Sequence, residues 1–169
     1  NVKIKYGTLY YNESQTPIDY SLTKINIESP GMRWDTDSIT SHFSFSSGTG
    51  KGDVKGDLMV NLKSMNYRVA TVIQKFDLNI LWQYIKNLYK YGSFKASLDA
   101  DIKARGNFNS VDSVITSGMV SIKDFHFGKN PHEDYASFDT LTIAMKEVSP
   151  MNRKFFFDSI TVRRPYFKY

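Results

Sequence analysis

The sequence predicts a mainly β fold of the β-rich α+β class, in which a strongly curved antiparallel sheet of about nine strands packs around one helix, Asp77 to Tyr91. Two observations support this prediction. Most of the chain alternates apolar and polar residues with a period of two, which is typical of strands with one buried face. The segment from Asp77 to Tyr91 instead carries apolar side chains over roughly 200° of a helical wheel. A helix buried over more than half of its circumference indicates that the sheet curls around it.

Five strands are predicted before the helix. The first two form a hairpin across the turn Glu13 to Pro17. Glycine-rich residues 46–52 form the turn between the third and fourth strands. The fifth strand has apolar side chains on both faces, which indicates a central position or a bulge. These strands cover residues 2–12, 18–29, 39–45, 54–62 and 67–75.

The helix is bounded by residues that favour its two ends. Asp77 is a good N-cap residue, and Gly92 is a good residue to follow the last turn. In the next segment, residues 94–105, small or large apolar residues alternate with Lys, Asp, Ser and Arg, so one face is apolar and the other ionic. The remaining predicted strands are residues 114–127, interrupted near Gly118, and then residues 136–145 and 155–162.

Length and composition bound the class of protein. At 169 residues the chain has the size of a single domain, residues 1–169. It has no Cys, so neither a disulfide framework nor thiol chemistry is expected. Its 22 basic residues exceed its 17 acidic ones but are dispersed among them, which argues against nucleic-acid binding.

The ends of the sequence indicate a segment of a longer protein. The chain starts without Met on an alternating strand and closes on another. It contains no signal peptide and no apolar run of the ~18 residues that a membrane span requires. We therefore expect any membrane anchor to lie outside this segment.

An internal repeat relates the start of the chain to its second half. GTLYYN and YSLTKINI within residues 7–27 align with GMVSIKDF and ASFDTLTI within residues 118–143. Equally spaced apolar positions match, namely Leu22, Ile25 and Ile27 with Phe138, Leu141 and Ile143. Two hairpins with the same sequence pattern indicate an extended array of repeated hairpins. The alternative is a chance match between two amphipathic hairpins.

The motifs that could carry chemistry favour a structural interpretation. The segment Gly48 to Gly56 has the glycines and lysines of a phosphate cradle, but it lacks the Gly-Lys-Ser/Thr ending of a P-loop. The three histidines have no ligand pair at strand or helix spacing. Asp99 and Asp101 alternate with basic residues, which is typical of a solvated face rather than a catalytic carboxylate pair. We therefore expect no enzymatic activity, no metal and no cofactor.

Aromatic residues make up 15% of the chain, and not all of them can face one core. In a strand, Phe156 must point away from Phe155 and Phe157. One interpretation is that such rings contact adjoining segments of the full-length protein. The other is that they border a groove for acyl chains, with basic side chains at its rim near anionic headgroups. The candidate apolar groove consists of Phe94, Leu98, Ile102, Phe125, Phe127 and Phe156, and the candidate headgroup rim of Lys154, Arg163 and Arg164.

Several of these features follow one another in a recognisable order. Gly-x-Leu-x-Tyr precedes Leu-x-x-Ile-x-Ile, a strand pair ends at Phe-Asp-Leu, and GSFKASLDADIKARG, GMVSIKDFHF and DSITVRRPYF follow. This order resembles the AsmA-like family of Gram-negative cell-envelope proteins, the relatives of TamB. The resemblance covers almost the whole chain. The individual motifs are built from common residue types, so the resemblance depends on the order in which they occur.

The resemblance implies a function outside catalysis. AsmA-like proteins are long, inner-membrane-anchored periplasmic proteins whose repeated β-structure forms an open groove with an apolar floor. They serve outer-membrane biogenesis and phospholipid transport between membranes. The expected partners are therefore a phospholipid or another acyl-chain lipid and the adjoining segments of the full-length protein. The family supplies no catalytic motif that could be transferred to these residues.

Two other interpretations stay open. The chain could be a structural or protein-interaction module whose curved sheet is filled by its own helix and whose edges pair with neighbouring repeats. A closed, lipocalin-like carrier fits the number of strands, but it does not fit a long helix in the middle of the chain.

Overall fold

The computed structural model describes residues 1–13, 18–31, 36–48, 51–82 and 92–168, and its ten strands form one sheet. From β1 to β8 the order in the sheet is the order in the chain, and β9 and β10 both pair with β8. All neighbouring strands are antiparallel. The strands are β1 (Val2–Glu13), β2 (Ile18–Ser29), β3 (Ser38–Ser47), β4 (Asp53–Asn61), β5 (Asn66–Asp77), β6 (Ser93–Asn107), β7 (Ser110–Asn130), β8 (Glu133–Ser149), β9 (Lys154–Arg163) and β10 (Tyr166–Phe167).

The predicted mainly β class is confirmed, because 80% of the structure is strand and the sheet is open rather than closed. The tenth strand arises at the C-terminal end of the predicted pattern. After β9, Arg164 adopts a left-handed conformation with φ 48° and Pro165 interrupts the pairing. Tyr166 then pairs with Ser137, so β9 and β10 lie along successive parts of the same strand, β8.

The helix predicted over Asp77 to Tyr91 is not found among the described residues. Asp77 still pairs with Ser97 as the last residue of β5, so a helical turn can begin only after it. The chain then makes one 3-10 turn, Leu78–Leu81, whose Asn79 N–H donates to the Asp77 carboxylate at 2.9 Å. Residues 83–91 of the predicted helix lie outside the described residues. The described part of the chain contains no helix of the length and apolar character needed to cross a membrane.

Register divides the sheet into two chemically different faces. Residues that oppose one another across antiparallel strands project from the same face. One row crosses nine strands and consists of Ile4, Ile27, Phe43, Gly56, Thr71, Ile102, Gly118, Met145 and Phe157. The adjacent row on the opposite face crosses seven strands and consists of Lys3, Glu28, His42, Asp57, Ala70, Lys103 and Ser117. We call the face that carries the nine-strand row the apolar face, and the face that carries the seven-strand row the polar face.

Bulges keep the two faces distinct along strands whose sequence alternation is interrupted. Four strand residues have φ between 50° and 56°, namely Tyr6, Lys24, Lys75 and Asp124. Counted by strict alternation from Ile122, Phe125 would lie on the polar face. Because Asp124 is an extra residue between the paired positions of β6 and β7, Phe125 and Phe127 return to the apolar face. Bulges of this kind also bend a strand and increase its twist.

Little apolar surface is fully enclosed in the described structure. Its buried hydrophobic residues are Val54, Ala96 and Ala100. The chain exposes 11781 Å² of surface, whereas a compact monomer of 19.4 kDa is expected to expose about 8500 Å². The sheet therefore does not close over a core of ordinary size, and most of its apolar side chains stay partly accessible.

Candidate functional site

Five of the six residues predicted to form an apolar groove lie on the apolar face. Phe94 opposes Phe127, Leu98 opposes Ile122, and Ile102 opposes Gly118. The ring of Phe125 meets Phe94 edge to face at a centroid distance of 5.9 Å, and it stacks on Phe138 at 4.6 Å. Phe138, which sequence reasoning did not select, therefore belongs to the same cluster of rings. The structure thus brings Phe94, Phe125 and Phe138 together at one end of β6, β7 and β8.

Phe156 does not join the other predicted groove residues. It opposes Glu147, whereas its neighbours Phe155 and Phe157 oppose Val148 and Met145 on the apolar face. Lys154 shares the orientation of Phe156, and its Nζ lies 3.6 Å from the Glu147 Oε1 atom. Phe156 therefore projects from the polar face. The apolar face carries Phe155 and Phe157 in its place.

The predicted headgroup rim is spread along β9 rather than gathered at one point. Lys154 and Arg163 are the first and last residues of this strand, about 30 Å apart at the usual strand rise. Arg164 pairs with the Asp139 carboxylate through its guanidinium group. Among the described residues, Arg163 has no ion-pair partner. A single anionic headgroup could therefore contact Arg163 and Arg164, but not Lys154 as well.

Several charges on the polar face form pairs between neighbouring strands. Lys3 Nζ lies 2.6 Å from Glu28 Oε1, and the next pair in the same row joins His42 to Asp57. The hydrogen bond from Lys3 lowers the pKa of Glu28. These contacts are solvent-exposed, so each contributes little to stability.

Asp99 is the best-anchored carboxylate on the polar face. Its Oδ2 atom lies 2.5 Å from Lys123 Nζ, and its Oδ1 atom accepts a hydrogen bond from the Lys75 N–H at 2.6 Å. These two contacts, first the one with Lys123, lower the pKa of Asp99. Because Lys75 is the bulged residue of β5, Asp99 satisfies a backbone group that the bulge removes from the strand ladder. Its role is therefore structural.

Two grooves of the described structure lie on the polar face. The larger has a volume of about 1720 Å³ and runs from β4 to β9, and the smaller has about 560 Å³ and runs from β1 to β6. Six Lys and six Asp residues contribute to the larger groove, so its lining favours neither anions nor cations. None of the residues predicted for the apolar groove lines either of them.

The segment Gly48 to Gly56 does not present a phosphate cradle in its described part. The Gly48 N–H donates to Ser21 O at 2.7 Å, and the Ser47 N–H donates to Gly52 O at 2.9 Å. These amides are therefore used within the sheet. Residues 49 and 50 lie outside the described residues. No group of three or more His, Asp or Glu side chains in the described structure is placed to hold a metal ion.

The two halves of the predicted repeat form antiparallel pairs, but in different registers. Gly7 opposes Ile25 in the β1–β2 pair. The sequence alignment matches Gly7 with Gly118 and Ile25 with Leu141, yet Gly118 opposes Met145 in the β7–β8 pair. The repeat therefore describes the order of the strands but not the residues that face each other.

Comparison with known proteins adds no relative to this description. No family model, no curated protein and no solved structure matches the chain. The fold and the chemistry of its two faces are therefore the basis for a functional proposal.

Sequence reasoning missed two His–Asp pairs on the polar face. His42 pairs with Asp57, and His126 Nδ1 lies 2.7 Å from the Asp134 Oδ2 atom. Each pair joins neighbouring strands, so the residues are separated in sequence by the length of a hairpin. The signal that could have found them is the register of β3 with β4 and of β7 with β8.

Proposed function

We propose that this chain is a non-catalytic segment of an AsmA-like periplasmic protein, inner-membrane-anchored elsewhere in its sequence, that shelters phospholipid acyl chains on its apolar face. In this role it serves outer-membrane biogenesis and phospholipid transport. The observation that supports the proposal best is a row across nine strands that contains no charged side chain and is apolar apart from Thr71 and two glycines, together with only three buried hydrophobic residues in the described structure. An exposed apolar surface that crosses a whole sheet is typical of a binding site.

The energetics of such binding require no specific contact. Each methylene group moved from water to an apolar surface gains about 0.8 kcal/mol, so half of an acyl chain supplies several kcal/mol. Partly accessible side chains on adjacent strands provide this surface without a deep pocket. Phe94, Phe125 and Phe138 add flat aromatic faces at one end of it.

The shape needed for a groove follows from twist and bulges. A twisted sheet is saddle-shaped, so each of its faces is concave along one diagonal. The two grooves lie on the polar face, and we propose that the apolar face is concave along a diagonal of its own. The bulges at Tyr6, Lys24, Lys75 and Asp124 increase the bend. In this proposal the sheet curls toward its apolar face.

Native mass spectrometry of the gently purified protein tests the proposal, together with titration of a fluorescent phospholipid. We expect adducts with the mass of a phospholipid and saturable binding of the fluorescent lipid. A protein that carries no lipid and also ignores the fluorescent lipid would exclude direct binding by this segment.

The second candidate is a structural or interaction module, and the two open edges of the sheet favour it. In the described structure, β1 pairs only with β2 and β9 pairs only with β8, so both are edge strands, and an edge strand can pair with another strand. In this case the apolar face is covered by the rest of the protein, and lipid binding is absent. A longer version of the protein that orders new strands at β1 or β9 and loses affinity for lipid would favour this candidate.

A further inference from the structure

The two edges of the sheet differ in their protection against strand pairing. Strand β1 has a left-handed bulge at Tyr6, register shifts on both sides of Gly7, and the basic side chains of Lys3 and Lys5. Bulges and lysines are devices that prevent edge-to-edge association. Strand β9 has no residue with positive φ, and its basic residues Lys154 and Arg163 stand only at its ends. Its register with β8 does shift on both sides of Met145, where Asp158 is an extra residue. The β9 edge therefore lacks the left-handed bulge and the interior lysines of β1, and its irregularity is confined to Asp158.

Strand β9 also exposes a row of apolar side chains on its apolar face. All ten of its residues are exposed, and Phe155, Phe157, Ile160 and Val162 oppose apolar-face residues of β8. Phe156 projects from the other face. An exposed outer strand of this composition is a template for another strand, because its backbone groups and its side chains both lack partners on the outer side.

We propose that β9 pairs antiparallel with β9 of a second copy of this chain. In this pairing Phe155 of one copy lies opposite Val162 of the other, and Phe157 lies opposite Ile160. Apolar side chains therefore face apolar side chains at both positions. Each such pair occurs on both sides of a two-fold axis that passes between Asp158 and Ser159, which makes the contact isologous and closed. Because this axis is perpendicular to the sheet, the apolar faces of the two copies lie on the same side.

The face assignment within β9 fixes the register of this dimer. Thr161 opposes Thr142 on the polar face, and Phe156 lies on the same face, so these two residues also meet across the dimer axis. A shift by one residue would place Phe155 opposite Thr161 and would mix the two faces. At the ends of the strand Lys154 faces Arg163 of the second copy, where Glu147 lies 3.6 Å from Lys154 and offsets the like charges.

The dimer extends the apolar face without covering it. Two copies form one sheet whose apolar rows continue from one chain into the other. This inference is independent of the proposed lipid binding, because it concerns the strand edge and not the face. The chain can therefore bind lipid without forming a dimer, and it can form a dimer without binding lipid.

Sedimentation velocity of the whole chain without lipid tests the proposal. We expect a concentration-dependent dimer that Ile160→Lys abolishes. Leu9→Lys is the matched control, because Leu9 is 54% exposed on the apolar face of β1 and Ile160 is 59% exposed on that of β9. A dimer that survives Leu9→Lys supports the proposal. A monomeric parent chain, or equal loss in both variants, overturns it, since equal loss indicates packing of face on face or of β1 on β9.

Cysteine cross-linking tests the register, because the chain has no native Cys. Phe156→Cys and Thr161→Cys proteins are mixed and oxidised. The proposal predicts that the disulfide between the two variants forms several times faster than either homodimeric disulfide, since facing Cβ atoms in a strand pair lie ~5 Å apart. Faster homodimeric disulfides, or none at all, contradict this register.

Discussion

On the polar face, Lys3 pairs with Glu28 and His42 with Asp57, whereas the neighbouring row on the apolar face has no partner layer in the described structure. The same strands and the same register thus produce one face with ion pairs between its own side chains and one face without them. Polar side chains find partners across 5 Å within a sheet, but apolar side chains leave water only when something covers them. A binding function is therefore expected on the apolar face.

The largest effect is predicted at a glycine on the apolar face. Gly118 has φ +127°, and a Cβ atom there would lie 2.0 Å from Asp101 O. We expect Gly118→Ala to reduce the free energy of unfolding by about 3 kcal/mol, because the backbone must change conformation and also move. Urea denaturation measures this loss.

The matched control is Gly7→Ala, at the position that the sequence repeat aligns with Gly118. A Cβ atom at Gly7 would lie 3.3 Å from the Ile25 Cβ, and no positive φ applies there. We expect a change below about 1 kcal/mol. Equal losses in the two variants would show that the two hairpins impose the same constraint on their glycines, contrary to the structure.

Lipid binding should distinguish a lysine on one face from a lysine on the other. Ile102→Lys places a charge in the middle of the apolar row, whereas Met119→Lys places it on the polar face opposite Asp101. Displacing about two methylene groups of a bound chain costs about 1.6 kcal/mol, so Ile102→Lys should weaken binding of a fluorescent phospholipid roughly tenfold. Met119→Lys should leave the affinity unchanged, and circular dichroism checks that both variants fold. Similar weakening by both would remove the distinction between the faces.

Loss of the Asp99 carboxylate should have a smaller effect, confined to stability. Asp99→Ala removes the contact with Lys123 and leaves the Lys75 N–H without its acceptor. We expect a loss of about 1 kcal/mol in the free energy of unfolding. Asp99→Asn keeps an oxygen for the Lys75 N–H and should lose less. An unchanged midpoint for Asp99→Ala would mean that water replaces the carboxylate at the bulge.

The smallest effect is the response of the polar face to acid. The pKa values of Glu28, Asp99 and Glu133 are lowered in the folded protein by hydrogen bonds with Lys3, Lys123 and Lys168. Carboxylates of this kind stabilise the fold above their unfolded pKa values of about 4, and this contribution is lost as pH falls through the folded values. The urea midpoint should therefore decrease below about pH 4, and less so for Asp99→Asn. The lipid affinity of the folded protein should not change over the same pH range, because the central row of the apolar face contains no titrating group.

Much of the fold could be predicted because period-two alternation reports directly which residues share a face. Residues 94–105 follow this rule without interruption, so alternation alone places Phe94, Leu98 and Ile102 on one face, as the register of β6 also does. The rule fails where a bulge adds a residue, as at Asp124, since sequence alone does not show which residue will leave the ladder. Phe156 illustrates the other limit, because a run of three Phe residues has no alternation from which to choose a face.

The predicted helix shows how tertiary pairing competes with a local pattern. Asp77 has the chemistry of a cap, and it does cap a turn, but its backbone also completes β5 against Ser97. The His–Asp pairs and the polar grooves could not be predicted, because they depend on which strands are neighbours and in what register.

Methyl NMR with a spin-labelled phospholipid tests the central claim most directly. The protein is labelled at Ile δ1 and Met ε methyl groups, and a phospholipid with a nitroxide on its acyl chain is added. Ile102 and Ile143 lie on the apolar face, and Met59 and Met119 lie on the polar face. The proposal predicts that the Ile102 and Ile143 signals broaden while those of Met59 and Met119 persist. Broadening of the two methionines, or equal broadening on both faces, would contradict an acyl-chain site on the apolar face.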